Sequence, residues 1–284
     1  MLDKSTEKDL RRFAAEIRIG ILRQLQAKGV GHAGGSLSVA DLIAVLYGRV
    51  LRYDPAAPRW EERDRLICSK GHAGPALYAA LALKGFFPYE ELVTLNQPGT
   101  MLPSHCDMHK TPGIDMTTGS LGQGVSLAVG VALACRQKGL RNRVYLIVGD
   151  GECDEGQVWE GAMFASAQKL SNMTWILDNN RMQLDGPVRE ILDTGDLAEK
   201  FRAFGFDAVR IDGHDLNALA EALEAPEDGS GRPRILVLDT VKGKGIGEIE
   251  RMTSNHSITV PYDDAERWIA GLEAEIKALR EEVP

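Results

Sequence analysis

The stretch Val144-Tyr145-Leu146-Ile147-Val148-Gly149-Asp150-Gly151-Glu152 decides how this chain is read. A short apolar run that stops at glycine and an acid is the pattern of a strand buried on both faces of a parallel sheet. The run Thr174-Trp175-Ile176-Leu177-Asp178 repeats the pattern and ends in Asn179-Asn180-Arg181-Met182-Gln183-Leu184-Asp185-Gly186. Further runs of this kind lie at Arg65–Cys68, Ala208–Ile211 and Ile235–Leu238. Between them, Ala73–Lys84, Gly122–Lys138, Trp159–Leu170 and Leu216–Leu223 carry apolar residues three and four apart, the spacing of a helix face. Strands alternating with helices predict an α/β fold, a parallel sheet with helices on both faces. Glu224–Pro233, rich in proline and glycine, predicts a loop between helix and strand. A charged helix is expected over residues 264–282, with Trp268, Leu272, Ile276 and Leu279 on one side. No internal boundary stands out, so residues 1–284 are expected to form one domain.

In a parallel sheet, ligands sit beyond the carboxyl ends of the strands. The two runs therefore deliver Asp150 and Asn180, thirty residues apart, to one sheet edge. Carboxylate and amide oxygens are hard ligands, suited to Mg²⁺ or Ca²⁺ holding phosphates. Each motif alone is also an ordinary turn; the pair after two predicted strands favours the site. Composition sets the outer limits. The chain has 284 residues, 44% of them hydrophobic, which suffices for a sizeable core. Its 41 acids against 33 bases give a net charge of −8, so nucleic acid and anionic membranes are not expected partners. The charged N-terminus and the lack of a long apolar run predict neither a secretory signal nor a membrane span. Cys68, Cys106, Cys135 and Cys153 lie far apart with no C-x-x-C, which points to a reduced, soluble, cytoplasmic protein.

The sequence G-D-G, about thirty residues, then N-N resembles the thiamine-diphosphate signature. Further motifs resemble those of transketolase. Gly31-His32-Ala33-Gly34-Gly35-Ser36 is similar to its G-H-x-G segment, and Ser69-Lys70-Gly71-His72 to its S-x-G-H segment. Ser104-His105 precedes Gly119 by the family spacing, and Thr118-Gly119-Ser120-Leu121-Gly122-Gln123-Gly124 resembles T-G-P-L-G-Q-G, with Ser120 in place of the usual proline. The resemblance runs from about Arg18 to about Pro261. It implies that Asp150, Asn180 and the carbonyl of Met182 hold Mg²⁺, with Ca²⁺ the alternative, against the diphosphate of thiamine diphosphate. It also implies that His72, Gly119, Ser120, Leu121, Gly151, Glu152, Asn180 and His256 contact the cofactor. Gly119, Gly122 and Gly124 precede an apolar helix, whose N-terminal N–H groups can face an anion, while tight helix–sheet packing is the other reading.

Transketolases move a two-carbon ketol unit from a ketose to an aldose. Breaking the donor bond between carbons 2 and 3 needs a base at the C3 hydroxyl, a task for near-neutral imidazole. The resemblance places His32 and His256 at that hydroxyl and His105 at the C1 hydroxyl. Of the six histidines, His109 and His214 stand outside these motifs, and His214 is expected to help start the next helix, with Asp215 as its cap. Lys242 and Lys244 resemble a mobile family loop, or form a solvated basic turn. Glu155 is either part of a carboxylate network between subunits or an exposed acid at a helix start. A full-length transketolase is more than twice as long, and the glutamate that activates its aminopyrimidine ring lies in its second half. The resemblance therefore implies a split enzyme: this subunit binds diphosphate and metal, and a C-terminal, pyrimidine-binding subunit completes a heterotetramer with two of each. The alternatives are half of a deoxyxylulose-phosphate synthase or a dehydrogenase E1 component, or a non-catalytic cofactor-binding subunit. The donor is expected to be a sugar phosphate or a related ketose, sulfonated and branched ones included.

Overall fold

A computed structural model describes residues 1–281. Its strands in chain order are β1 (Val30–Gly31), β2 (Arg65–Cys68), β3 (Val144–Gly149), β4 (Met173–Asn179), β5 (Asp207–Asp212), β6 (Arg234–Asp239) and β7 (Ile258–Thr259). Five of them form one parallel sheet in the order β2-β3-β4-β6-β5. All five runs predicted as strands are these strands, each within a residue of the expected ends. Along β3 the side chains alternate between two apolar cores: Tyr145 and Ile147 enter one, Val144, Leu146 and Val148 the other. Both faces are thus covered, which is why the strand sequences show no polar alternation.

One face carries helices Lys4–Lys28, Gly74–Leu83, Leu216–Glu224 and Tyr262–Glu281; the other carries Gln123–Gln137, Gly156–Ala167 and Leu197–Ala203. The helix expected over 264–282 begins two residues earlier, and residue 282 lies outside the described residues. The helix Lys4–Lys28 was not anticipated. Its charged first turns mask a buried stripe of Leu10, Phe13, Ile17, Ile21 and Leu25, spaced at three and four. Asp3 accepts from the Thr6 N–H at its start, and Gly29, in left-handed conformation, ends it.

A two-stranded antiparallel ribbon pairs β1 with β7, Gly31 opposite Ile258. This small element matters for the site, because it brings His32 and His256 together across more than 200 residues of sequence. Among the described residues, no helix is long and apolar enough to cross a membrane. The four cysteines are buried free thiols.

Candidate active site

The carboxyl ends of β2, β3, β4 and β6 open onto one cleft. It is lined by Lys70, Gly149, Asp150, Gly151, Asn180, Met182, Gln183 and Lys242, and by His32, His72, His105 and His256. Gly149 pairs with Asp178 in the β3–β4 register, so Asp150 and Asn180 emerge side by side. Asp150 is buried, and its carboxylate accepts from the N–H groups of Gly151, at 2.8 Å, and Arg181. These do not offset its environment: burial first, then the neighbouring Asp178, push its carboxyl up to about 7. Among the described residues no cationic side chain pairs with this carboxylate, Lys70 acting on it only at a distance, so a bound cation would relieve it.

The remaining donors fit such an ion. The Asn180 amide nitrogen donates to Asp178 Oδ2 at 2.9 Å, which turns its oxygen the other way, where it accepts from the Met182 N–H at 3.1 Å. The Met182 carbonyl faces the Lys242 ammonium at 3.1 Å, a carbonyl already placed against positive charge. Among the described residues no three His, Cys, Asp or Glu side chains converge as a metal cluster. The set here is instead one carboxylate, one amide and one carbonyl, oxygen ligands that suit Mg²⁺ or Ca²⁺.

Asp178, the last residue but one of β4, anchors this arrangement and was not singled out in the sequence. It is fully buried and accepts from Lys70, from Ser38 at 2.7 Å, from Asn180 and from Thr240. Burial alone would raise its carboxyl, but Lys70 and the hydroxyl donors outweigh that and hold it below its ordinary value. Lys70 was visible only as a filler position in S-K-G-H. An apolar strand running into Asp-Asn-Asn, opposite a lysine among small residues, is the signal that could have found the pair.

The four loop histidines come together. Ring centroids of His32 lie 5.6 Å from His72, 5.4 Å from His105 and 5.3 Å from His256, and His72 stands 4.6 Å from His256. Burial, the largest cause for each, lowers all four below the usual imidazole range; His72 is lowered well below it, and His256 reaches about 4 with help from Lys242 and His32. Neutral rings next to two lysines can accept hydrogen bonds and do not repel a cationic neighbour.

Other expected residues fall differently. Gly119 and Leu121 line the cleft, and Gly119 has φ +155 with the His105 ring against its open face. Ser120 is exposed and does not line it. Gly151 packs against Gln183, whose Cβ would lie 2.7 Å from an added methyl group. Glu152 borders the cleft, but its oxygens accept from Ser69, from Gly122 N–H at 2.8 Å and from Gly149 N–H at 3.0 Å. It braces the end of β3 against the helix Gln123–Gln137, and its burial raises its carboxyl. Lys242 is buried, not a solvated turn, and burial followed by Lys70 lowers its ammonium to about 8. Lys244 is half-buried, Glu155 and His109 are exposed, and none of the three lines the cleft. Asp215 caps its helix as expected, accepting from Asn217 and Ala218. His214 instead bonds to Asp41 and to the Val241 N–H.

Comparison with known proteins identifies the family and the fold. Residues 10–278 match the family model described as transketolase, thiamine diphosphate binding domain. The 6-deoxy-6-sulfo-D-fructose transketolase subunit of Clostridium sp. (strain MSTE9) is 51% identical over 94% of this chain and 97% of its own length. An apulose-4-phosphate transketolase subunit of Actinobacillus succinogenes is 38% identical over 86% of this chain and 88% of its own. The transketolase of Leishmania mexicana superposes with a TM-score of 0.82 at 28% identity, over 96% of this chain and 46% of that longer one. The five-stranded parallel sheet flanked by helices is thus the thiamine-diphosphate-binding fold, and the chain belongs to the transketolase family through its thiamine diphosphate binding domain.

Proposed function

We propose that this chain is the diphosphate- and metal-binding subunit of a split transketolase, folded as one domain and working in the cytoplasm. The single observation that carries the reading is the cleft itself. Four neutral imidazoles share it with Asp150, Asn180, Met182, Lys70 and Lys242. Asp150, Asn180 and Met182 hold Mg²⁺, with Ca²⁺ the alternative, and Lys242 adds positive charge for the diphosphate. Thiamine diphosphate, when bound there, supplies the nucleophilic carbon that carries the two-carbon unit. The protein's own part is proton handling: His32 and His256 take the proton from the donor C3 hydroxyl, and His105 orients the C1 hydroxyl. The neutral state of these rings supports that role, since a protonated imidazole accepts nothing. His72, Gly119, Leu121 and Gly151 contact the cofactor. Asn180, His256, Ser120 and Glu152 are proposed to contact it as well, Glu152 while its oxygens also accept from Ser69, Gly122 and Gly149.

The partner is a pyrimidine-binding subunit, in a complex of two of each. Full-length relatives such as human transketolase match this chain over 44% of their length, whereas relatives named as subunits match over most of theirs. The helices Gln123–Gln137 and Gly156–Ala167 start at the cleft and expose Leu127, Gly130, Ala134, Met163, Phe164 and Ala167, small and apolar residues that suit close helix contact with that subunit. The 51% identity to the sulfofructose subunit makes 6-deoxy-6-sulfo-D-fructose the first donor to assay, with fructose 6-phosphate as the control. Purified free of partner, as verified by mass spectrometry, the chain should show no ketol transfer, and adding the pyrimidine-binding subunit should restore it. Turnover of a ketose by the isolated chain at an ordinary enzymatic rate refutes the split-enzyme reading.

A further inference from the structure

Outside the cleft lies a buried polar cluster that the proposed chemistry does not use. Arg18, Asp41 and His214 come from three distant parts of the chain, and their side chains are 9%, 10% and 11% exposed. Arg18 donates to Asp41 Oδ2 at 2.6 Å, and His214 Nδ1 stands 2.8 Å from the same oxygen. The cluster reaches the loop after β6 through two hydrogen bonds. Arg18 Nε donates to the Lys244 carbonyl at 3.0 Å, and His214 Nε2 lies 2.9 Å from the Val241 N–H. Both contacts land on the loop after β6, on either side of Lys242. Gly245 completes the fit: at φ +95, a methyl group there would meet Arg18 Nε at 2.6 Å.

The hydrogen bonds fix the histidine tautomer. A backbone N–H can only donate, so Nε2 of His214 is the acceptor and the ring proton sits on Nδ1, donated to Asp41. Asp41 can serve both partners because it stays ionised. Burial pushes its carboxyl up, but Arg18 and the His214 hydrogen bond outweigh this and lower it to about 2.

We infer that His214, held by Asp41 and Arg18, is a positioning residue that sets where Lys242 meets the cleft. Its ring bonds to Asp41 and to the Val241 amide, and it acts through that amide, one residue from the ammonium that faces the Met182 and Gln183 carbonyls. The inference rests on the reading that Lys242 faces bound diphosphate, and the experiment separates the two.

Two substitutions divide the histidine. His214→Gln places an amide oxygen where Nε2 was and keeps the loop anchor; His214→Asn keeps a donor to Asp41 and loses the anchor. The readouts are hydrogen exchange of the Val241–Lys244 amides in the ligand-free chain and calorimetric affinity for inorganic diphosphate with Mg²⁺. A lost hydrogen bond of ordinary strength corresponds to roughly tenfold. His214→Asn should speed Val241 exchange and weaken diphosphate by about that factor, and His214→Gln should stay within about threefold of wild type. Equal behaviour of the two variants, or unchanged exchange at Val241, overturns the inference. If Lys242→Ala leaves diphosphate affinity intact while His214→Asn still speeds exchange, the reading of the site fails and the anchor stands. The imidazole ¹⁵N shifts of the wild-type chain give a test that needs no variant: a proton on Nε2 of His214 overturns the assignment.

Discussion

Replacing Lys70 with methionine removes the ammonium from Asp178 while keeping much of the side-chain volume. Lys70 is 1% exposed and Asp178 0%, so no solvent takes over the charge. Breaking one partner of a buried pair costs about 3–5 kcal/mol. Ser38, Asn180 and Thr240 still donate to Asp178, which places the expected loss near the lower end, about 3 kcal/mol. For a chain of this size that is a fall in Tm of about 6–12 °C. The pH dependence identifies the cause. In the wild type the Asp178 carboxyl is held below its ordinary value of 3.8, so its contribution is present above that pH and lost only as pH falls through the depressed value. Without Lys70, burial prevails and the folded-state value rises above the unfolded one. The variant is then penalised most at high pH. The penalty shrinks by about 1.4 kcal/mol per pH unit once the pH drops below the raised value. Guanidinium unfolding at pH 8, 7, 6 and 5 reads this directly, and Lys70→Met/Asp178→Asn, which removes the charge, should recover most of the loss. A pH-independent loss, or a double variant no more stable than the single one, refutes the reasoning.

Asp150→Ala should weaken Mg²⁺-dependent thiamine diphosphate binding by more than about 10²-fold, since even outer-shell changes at metal sites cost 10–100-fold. Its Tm at pH 8 should not fall, because the buried carboxyl, pushed up to about 7, is unfavourable when ionised; unchanged metal-dependent binding by calorimetry sinks the ligand assignment. His256→Ala should lower turnover of the assembled enzyme by roughly 10²-fold or more. The same variant should flatten acid sensitivity: with the wild-type ring lowered from 6.5 to about 4, the unfolded chain takes up the proton first, and stability falls as pH drops from 6.5 toward 4. Comparing unfolding midpoints at pH 7.5 and 5 tests this, and equal slopes in both proteins count against it. Gly124→Ala would place a methyl group 2.7 Å from Ser69 Cα, a backbone atom that cannot swing aside, and should cost about 1–3 kcal/mol. Gly130→Ala meets nothing within 4 Å on the exposed face of the same helix and should raise the isolated chain's Tm; a gain at both positions would show that Gly124 is not there for close packing.

The five strands of the parallel sheet, five of the seven helices packed on it and the paired motifs are readable from local sequence. Apolar runs ending in Gly-Asp-Gly and Asn-Asn are local signals, and burial on both faces leaves a continuous hydrophobic stretch that needs no tertiary information. The histidine motifs were legible through resemblance, residue by residue. The long helix Lys4–Lys28 also carries its own periodicity, but under a charged surface that hides the spacing. Other features were not local. Only the folded chain inserts β6 between β4 and β5, which brings Thr240 and Lys242 beside Asn180. Only the β1–β7 ribbon joins His32 to His256. In the sequence Lys70 is only the variable position of the S-x-G-H segment, and His214 a helix-start residue. Their roles depend on Asp178, Asp41 and Val241, up to 173 residues away. A lysine or histidine has the same local sequence signature whether solvated or buried. The difference lies in which carboxylate the packing of distant elements places against it, and that is decided by how helices on both faces fill the space over a sheet whose strand order no single segment encodes.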